Sequence, residues 1–181
     1  MDGAKALSKA LRRIFGADIP IQRCQIHKAR NITDRLAPKH HAAVRRALKQ
    51  AWGLNDADKA ARLIRNLARR FEQEAPDVSR SILESLDEIL TVVRLGLPPE
   101  LRRALVSTNI IKSMNSVIRQ ICRNVKRWRN AKMALRWTAA GMFEAKKGFC
   151  RIKAYKQLPI LKQALIDNRQ TGKLNQIKDA A

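Results

Sequence analysis

The sequence predicts a mainly α-helical chain with one short strand near its beginning. Three observations carry this. Aromatic residues make up only 4% of the chain while Ala, Leu, Ile, Lys and Arg dominate, a composition of good helix formers. Apolar residues recur at three- and four-residue spacing along most of the sequence. The repeats stop at Pro38, Gly53, Pro76 and Gly96, residues that end helices.

Taken in order, residues 4–15 carry Ala4, Leu7, Ala10, Leu11 and Ile14 at helical spacing, and Gly16 closes the pattern. The next segment places Ile19, Ile21, Cys24 and Ile26 in a short β-branched run bounded by Gly and Pro, which predicts a strand over 19–26. A lone strand leaves backbone groups without partners, and no second strand is legible. From His27 to about Leu101 the pattern is helical throughout. One helix runs to Pro38, the next to Gly53, and another starts at an Asn55 cap and stops before Pro76. Residues 77–96 read as a single helix with Val78, Ile82, Leu86, Ile89, Leu90 and Val93 on one face. Further helices are predicted over 109–125 and 129–150, then a short helix and a frayed polar tail.

The 181 residues carry 38 Lys or Arg against 15 Asp or Glu, a formal net charge of +23. An excess of that size repels itself and calls for a polyanion, with nucleic acid the first candidate and an anionic membrane surface the second. The charge is also uneven. Residues 102–156 hold 15 basic residues and a single acid, Glu144, whereas residues 76–101 hold Arg80 and Arg94 against five acids. A solvated helix face is one reading. Phosphate contact is the other, because so few acids are present to pair with the cations. Trp128 and Trp137 lie among these cations, and their helical spacing predicts a place in the core rather than a role in stacking on bases.

Three cysteines at wide spacing, Cys24, Cys122 and Cys150, make no disulfide framework and fit a reducing compartment. No leader-like apolar segment or membrane-length apolar run is present, so a cytoplasmic protein is expected. A membrane-surface partner is disfavoured because the basic residues do not lie opposite one large continuous apolar stripe outside the apparent core. Cys24 and His27 could form half of a zinc site, with Cys122, Cys150, His40 or His41 as partners, but none of these has a matching spacing. The alternative is that Cys24 packs in the core and His27 bonds to nearby backbone. No third member or oxyanion hole supports a Cys–His nucleophile.

The segment "STNIIKSMNSVIRQ" holds a local conflict. On a helical wheel Ile110, Ile111, Met114, Val117, Ile118, Ile121 and Val125 share a core face, and Lys112, Asn115, Ser116, Arg119 and Arg123 share the opposite one. Thr108 or Asn109 can cap this helix. If Asn109 is the cap, Lys112 takes the third position, where an acid would reach back to the cap and complement the helix dipole. Lysine does neither, at a cost of a few tenths up to about 1 kcal/mol. From the residues alone, an ordinary exposed lysine is the simpler reading.

Three blocks in order, "DGAKALSKALRRIFG", "IQRCQIHKARN" and "STNIIKSMNSVIRQ", resemble the Mutator-type transposases of bacterial insertion sequences. The most specific part comprises Gln22, Arg23, Cys24, His27, Lys28, Arg30 and Asn31. The resemblance implies the C-terminal part of an RNase H-like α/β core, with about one strand retained and a large all-helical insertion. Residues 1–27 would be the remnant of the core, 28–105 the insertion, 106–155 the remaining, strongly basic core helices, and 156–181 a short helix and tail. The family's DDE triad would place its second aspartate at Asp2 and its glutamate at Lys112, in a block that includes Asn109. The first aspartate would lie upstream, in a part this N-terminally truncated chain is expected to lack.

In such a triad three carboxylates hold two Mg²⁺ or Mn²⁺ ions that activate the nucleophile and stabilise the leaving oxygen. A lysine ammonium has three donors and no lone pair, so Lys112 cannot ligate. Asp2 is left as the retained metal carboxylate. The expectation is therefore a DNA-binding transposase fragment that is catalytically incomplete. Arg119, Arg123, Lys126, Arg127 and Arg129 are the candidate phosphate contacts. Transposon ends, target DNA, full-length transposase or a second copy are its implied partners, in a bacterial, nucleoid-associated setting. A truncated copy acting as a non-enzymatic regulator of transposition is the alternative. A basic structural or ribosome-associated protein is a third reading, disfavoured by the ordered match of three blocks.

Overall fold

The computed structural model describes residues 1, 3–84 and 86–179, except for the side chains of Ile110 and residues 172–179. The chain is mainly α-helical, and no strand occurs among the described residues. It divides into two compact units. One comprises Met1–Ser107 together with the segment from Lys153 onward, and the other is Thr108–Ile152.

In the first unit the helices are α1 (Lys5–Phe15), α2 (Gln25–Thr33), α3 (Pro38–Gly53), α4 (Ala57–Arg70), α5 (Pro76–Leu83), α6 (Leu86–Ile89), α7 (Thr91–Arg94) and α8 (Pro99–Leu105). Its core forms around Ile32, Val44, Leu48, Ile64, Ile82, Leu90 and Leu101, each almost wholly removed from water. Every one belongs to an apolar stripe at three- or four-residue spacing, and burying these stripes against each other drives the packing. Gly16 (φ 102°) and Gly96 (φ 63°) end their segments in backbone conformations that L side chains rarely adopt, as their positions predict. Asp56 rather than Asn55 caps α4, its Oδ1 accepting the amides of Asp58 and Lys59 at 2.9 Å.

The strand expected over 19–26 is not formed. Residues 19–24 have no regular structure, and Gln25 already begins α2. The backbone groups that would have needed a ladder find partners singly. The Thr91 hydroxyl donates to the Ile21 carbonyl at 2.8 Å. The Arg23 amide donates to the Glu88 carbonyl at 2.9 Å, and the Cys24 and Gln25 amides donate to the carbonyls of Met1 and Val106 at 2.6 and 3.0 Å. Separate helix ends and side chains thus do the work of a neighbouring strand.

The same contacts break the helix expected over 77–96 into α5, α6 and α7. Gln22 donates to the Ile89 carbonyl at 2.9 Å and accepts the Val92 amide at 3.0 Å. Lys28, buried with 6% of its surface exposed, donates to the Ser81 carbonyl and, at 2.7 Å, to that of Glu84. Its ammonium therefore closes the C-terminal end of α5, where carbonyls lack helical partners and the dipole favours a cation. Burial pushes the Lys28 pKa down from 10.5 to about 8, partly offset by the Glu84 carboxylate 3.9 Å away.

A pH prediction follows from that shift. Between about pH 8 and 10.5 the unfolded chain holds the Lys28 proton and the folded chain does not, so folding gains stability as pH rises through this window. Denaturant unfolding of the protein should show this gain, up to about 3 kcal/mol, relative to Lys28→Met. Parallel pH profiles for the two proteins would contradict it.

The C-terminal segment also differs from expectation. After a 3₁₀ turn at Tyr155–Gln157, a helix runs over Leu158–Asp179 where a short helix and frayed tail were expected. Its Leu161 and Ala164 pack against the core of the first unit, which anchors its first turns. Gln157 adds a hydrogen bond to Glu100 at 3.1 Å. No helix among the described residues is long and apolar enough to cross a membrane.

Candidate nucleic-acid interface

The second unit is a helical hairpin of α9 (Asn109–Cys122) and α10 (Ala131–Lys147). On α9 the wheel is reproduced in part. Met114, Val117, Ile118 and Ile121 are half-buried, whereas Ile111 is 51% exposed and the Ile110 side chain lies outside the described residues. Lys112, Asn115, Ser116, Arg119 and Arg123 are all exposed on the polar face. On α10 a buried glycine, Gly141, allows close approach. A Cβ built there would sit 2.9 Å from the Ile118 Cα. Asn130 caps α10, its Oδ1 accepting the Met133 amide at 2.9 Å.

Thr108 occupies the cap position of α9, and the Lys112 amide donates to its carbonyl at 2.8 Å. Asn109 is therefore the first helical residue and Lys112 the fourth. The capping-box conflict that would follow from an Asn109 cap does not arise. What is left is a cation in the first turn, where the helix dipole favours an anion.

Charge in this unit is one-sided. Residues 108–152 contain eleven Lys or Arg and one acid, Glu144, which pairs with Lys147 at 2.7 Å. Lys126, Arg127 and Arg129 come together along residues 125–130, which have no regular structure. With Trp128, Met133 and Trp137 they line an open cleft of about 750 Å³. Arg119 and Arg123 do not line this cleft. Arg119 stands exposed on α9 and Arg123 exposed just past its end, in the stretch that leads into the cleft in sequence.

The two tryptophans are the main correction here. Trp128 is 46% and Trp137 37% exposed, so neither is a core residue. The hairpin has only two helices, and one apolar stripe apiece is buried between them. Trp137, on α10 with Gly141, borders the cleft. Their neighbourhood of cations was the signal that pointed away from the core.

Arg102 also departs from expectation. It falls in the basic stretch 102–156, yet it is buried, and it donates to the Leu54 carbonyl at 2.7 Å and to the Asn55 side chain. Its charge is spent inside the first unit, joining α8 to the end of α3.

Within the block shared with the resembled family, Cys24 is 4% exposed at the start of α2, as a core thiol should be, and His27 is half-buried. None of Cys24, Cys122 and Cys150 forms a disulfide among the described residues. Among the described residues no three His, Cys, Asp or Glu side chains come together to hold a metal. Asp2 lies outside the described residues. In the sequence Gln22, Arg23 and Lys28 stand out only as signature residues, and their structural role is not legible there. Gln22 and Lys28 hold α5 to α7 as described above, and the Arg23 guanidinium lies 3.8 Å from the Glu84 carboxylate. The acid-rich stretch from Asp77 to Glu88 opposite a basic block was the available signal.

Comparison with known proteins agrees with the three-block resemblance. The family described as "Transposase, Mutator family" matches residues 1–151. The chain is 30% identical over 118 residues to the transposase for insertion sequence element IS6120 of Mycolicibacterium smegmatis, covering 65% of this chain and 36% of that protein. It is 25% identical over 142 residues to the transposase for element ISRM5 of Rhizobium meliloti, covering 78% and 35%. The transposase for element IS905 of Lactococcus lactis is 26% identical over 115 residues, with 62% and 29% covered. The chain thus spans about a third of the length of these relatives. No solved structure matches it.

Proposed function

This chain belongs to the Mutator family of transposases, and we propose that it serves DNA transposition as a DNA-binding component that does not cut DNA by itself. The observation that carries the binding half is the hairpin Thr108–Ile152, with eleven cations, one carboxylate and an open cleft. Duplex DNA is a dense array of phosphates, and exposed Lys and Arg that find no acid release its counterions on contact. Arg119, Arg123, Lys126, Arg127 and Arg129 are the residues assigned to the phosphates of transposon ends and target DNA. This contact positions the chain without reading sequence.

Lys112 supports the non-cutting half. By family resemblance the core is RNase H-like, residues 28–105 are a helical insertion, and a DDE triad uses Asp2 and the position of Lys112 to hold Mg²⁺ or Mn²⁺. The donor set does not fit that role. A lysine at this position offers no lone pair and brings a positive charge where cations would have to sit. A full-length transposase or a second copy of this chain would then supply the cutting site. The same residue favours a second reading, a non-enzymatic regulator that occupies DNA or the active subunit. Either role places the protein with the DNA of a bacterial cytoplasm.

The test of binding is its salt dependence. If about six phosphates are met, the affinity of the intact chain for duplex DNA should fall with a log–log slope of about −5. A flat dependence, or no binding at low salt, would sink the reading.

A further inference from the structure

We propose that the cleft between Trp128 and Trp137 is a site for an unpaired DNA nucleotide, which stacks its base on the indoles while Lys126, Arg127 and Arg129 take the flanking phosphates. This rests on the DNA-binding reading above and adds to it a strand preference that phosphate contact alone does not give.

Three features of the hairpin converge on this occupant. Both indoles are open to solvent, although Trp is among the costliest side chains to leave exposed. Neither indole stacks on another ring among the described residues, where His40 and Phe71 meet edge to face. They also border the same cleft as three cations, and its volume of about 750 Å³ lies in the range of sites that enclose small organic ligands.

An unpaired nucleotide presents a flat π face next to a phosphate, and this cleft offers an aromatic surface next to guanidinium and ammonium groups. A base in duplex DNA has both faces covered by its neighbours and cannot use the indoles. Stacking is tolerant of base identity because every base has such a face. A purely apolar partner would meet three cations at the rim with nothing to balance them, which disfavours a protein surface here.

The test compares three ligands on the intact chain by fluorescence anisotropy: a short oligothymidylate, an abasic strand with the same number of phosphates, and a duplex. The oligothymidylate should bind about tenfold more tightly than the abasic strand. Trp128→Ala or Trp137→Ala should erase most of that ratio, and Trp128→Phe, which keeps a ring, should retain much of it. Equal affinity for the thymidylate and abasic strands would overturn the proposal, and it would do so on the unaltered chain, independent of how any variant folds. An Ala variant with the full ratio would overturn it as well. If the duplex binds with the expected salt slope but no base dependence appears, only this inference fails. If no DNA binds, the proposed function fails with it.

Discussion

Changing Arg123, Lys126 and Arg127 together to glutamine is expected to cut the salt slope of DNA binding by about half. Each phosphate contact contributes about −0.9 to the log–log slope, so three lost contacts remove about 2.7 of roughly 5. At low salt, where released counterions contribute most, the triple variant should bind duplex DNA at least tenfold more weakly. All three residues are exposed, so glutamine should leave the hairpin intact, and circular dichroism should show unchanged helix content. The same triple change at Arg62, Arg65 and Arg69 on α4 supplies a control, since these cations belong to the other unit. Equal loss from both triples would mean that net charge, rather than the hairpin, attracts DNA.

Gly141→Ala should destabilise the hairpin by about 1 to 3 kcal/mol. In an exposed helix the change would stabilise by about 1 kcal/mol, because alanine restricts the unfolded chain and favours the helix. Here the added methyl would sit 2.9 Å from the Ile118 Cα, 3.1 Å from its Cγ1 and 3.2 Å from its Cβ. The nearest of these is backbone and cannot rotate away, so α9 and α10 must separate. Gly148→Ala is the control. Its new methyl would meet nothing nearer than the Ala145 carbonyl at 3.8 Å. Thermal unfolding should therefore show a lowered transition for the first variant and little change for the second. Equal transitions would mean that close packing at Ile118 does not hold the hairpin.

Much of the helical layout was legible because it follows from short-range rules. Apolar spacing and the punctuation of Gly16, Pro38, Gly53 and Gly96 place α1, α3 and several helix ends without tertiary information. The failures share one cause. Residues 19–24 have strand-like composition, but their backbone partners come from Thr91, Glu88, Met1 and Val106, which no local pattern reveals. The segment 77–96 has an unbroken apolar face, yet Gln22 and Lys28 draw its carbonyls and amides out of a single ladder. The two misreadings are two sides of one contact, since a basic segment meets an acidic one across more than fifty residues of chain.

The interface was legible at the level of charge and illegible at the level of shape. The near absence of acids after residue 101 singles out the basic stretch, but spacing alone cannot separate buried Arg102 from exposed Arg123. Nor could it expose the tryptophans. Helical periodicity assigns Trp128 and Trp137 to a core by default, and a two-helix hairpin has too little interior to hold them. Lys112 was visible as an oddity in the sequence. Its position in the first turn of α9, after a Thr108 cap, replaces the capping argument with an electrostatic one. Lys112→Glu should consequently strengthen that helix start by only a few tenths of a kcal/mol.

As proposed, this chain is expected to hold DNA without cutting it. A single gel tests both halves, with the intact chain incubated with supercoiled DNA and Mg²⁺ or Mn²⁺ and the DNA then resolved before and after removal of protein. A retarded complex is expected before removal and undamaged supercoiled DNA after it. Metal-dependent nicks or linear product from the purified chain would contradict it.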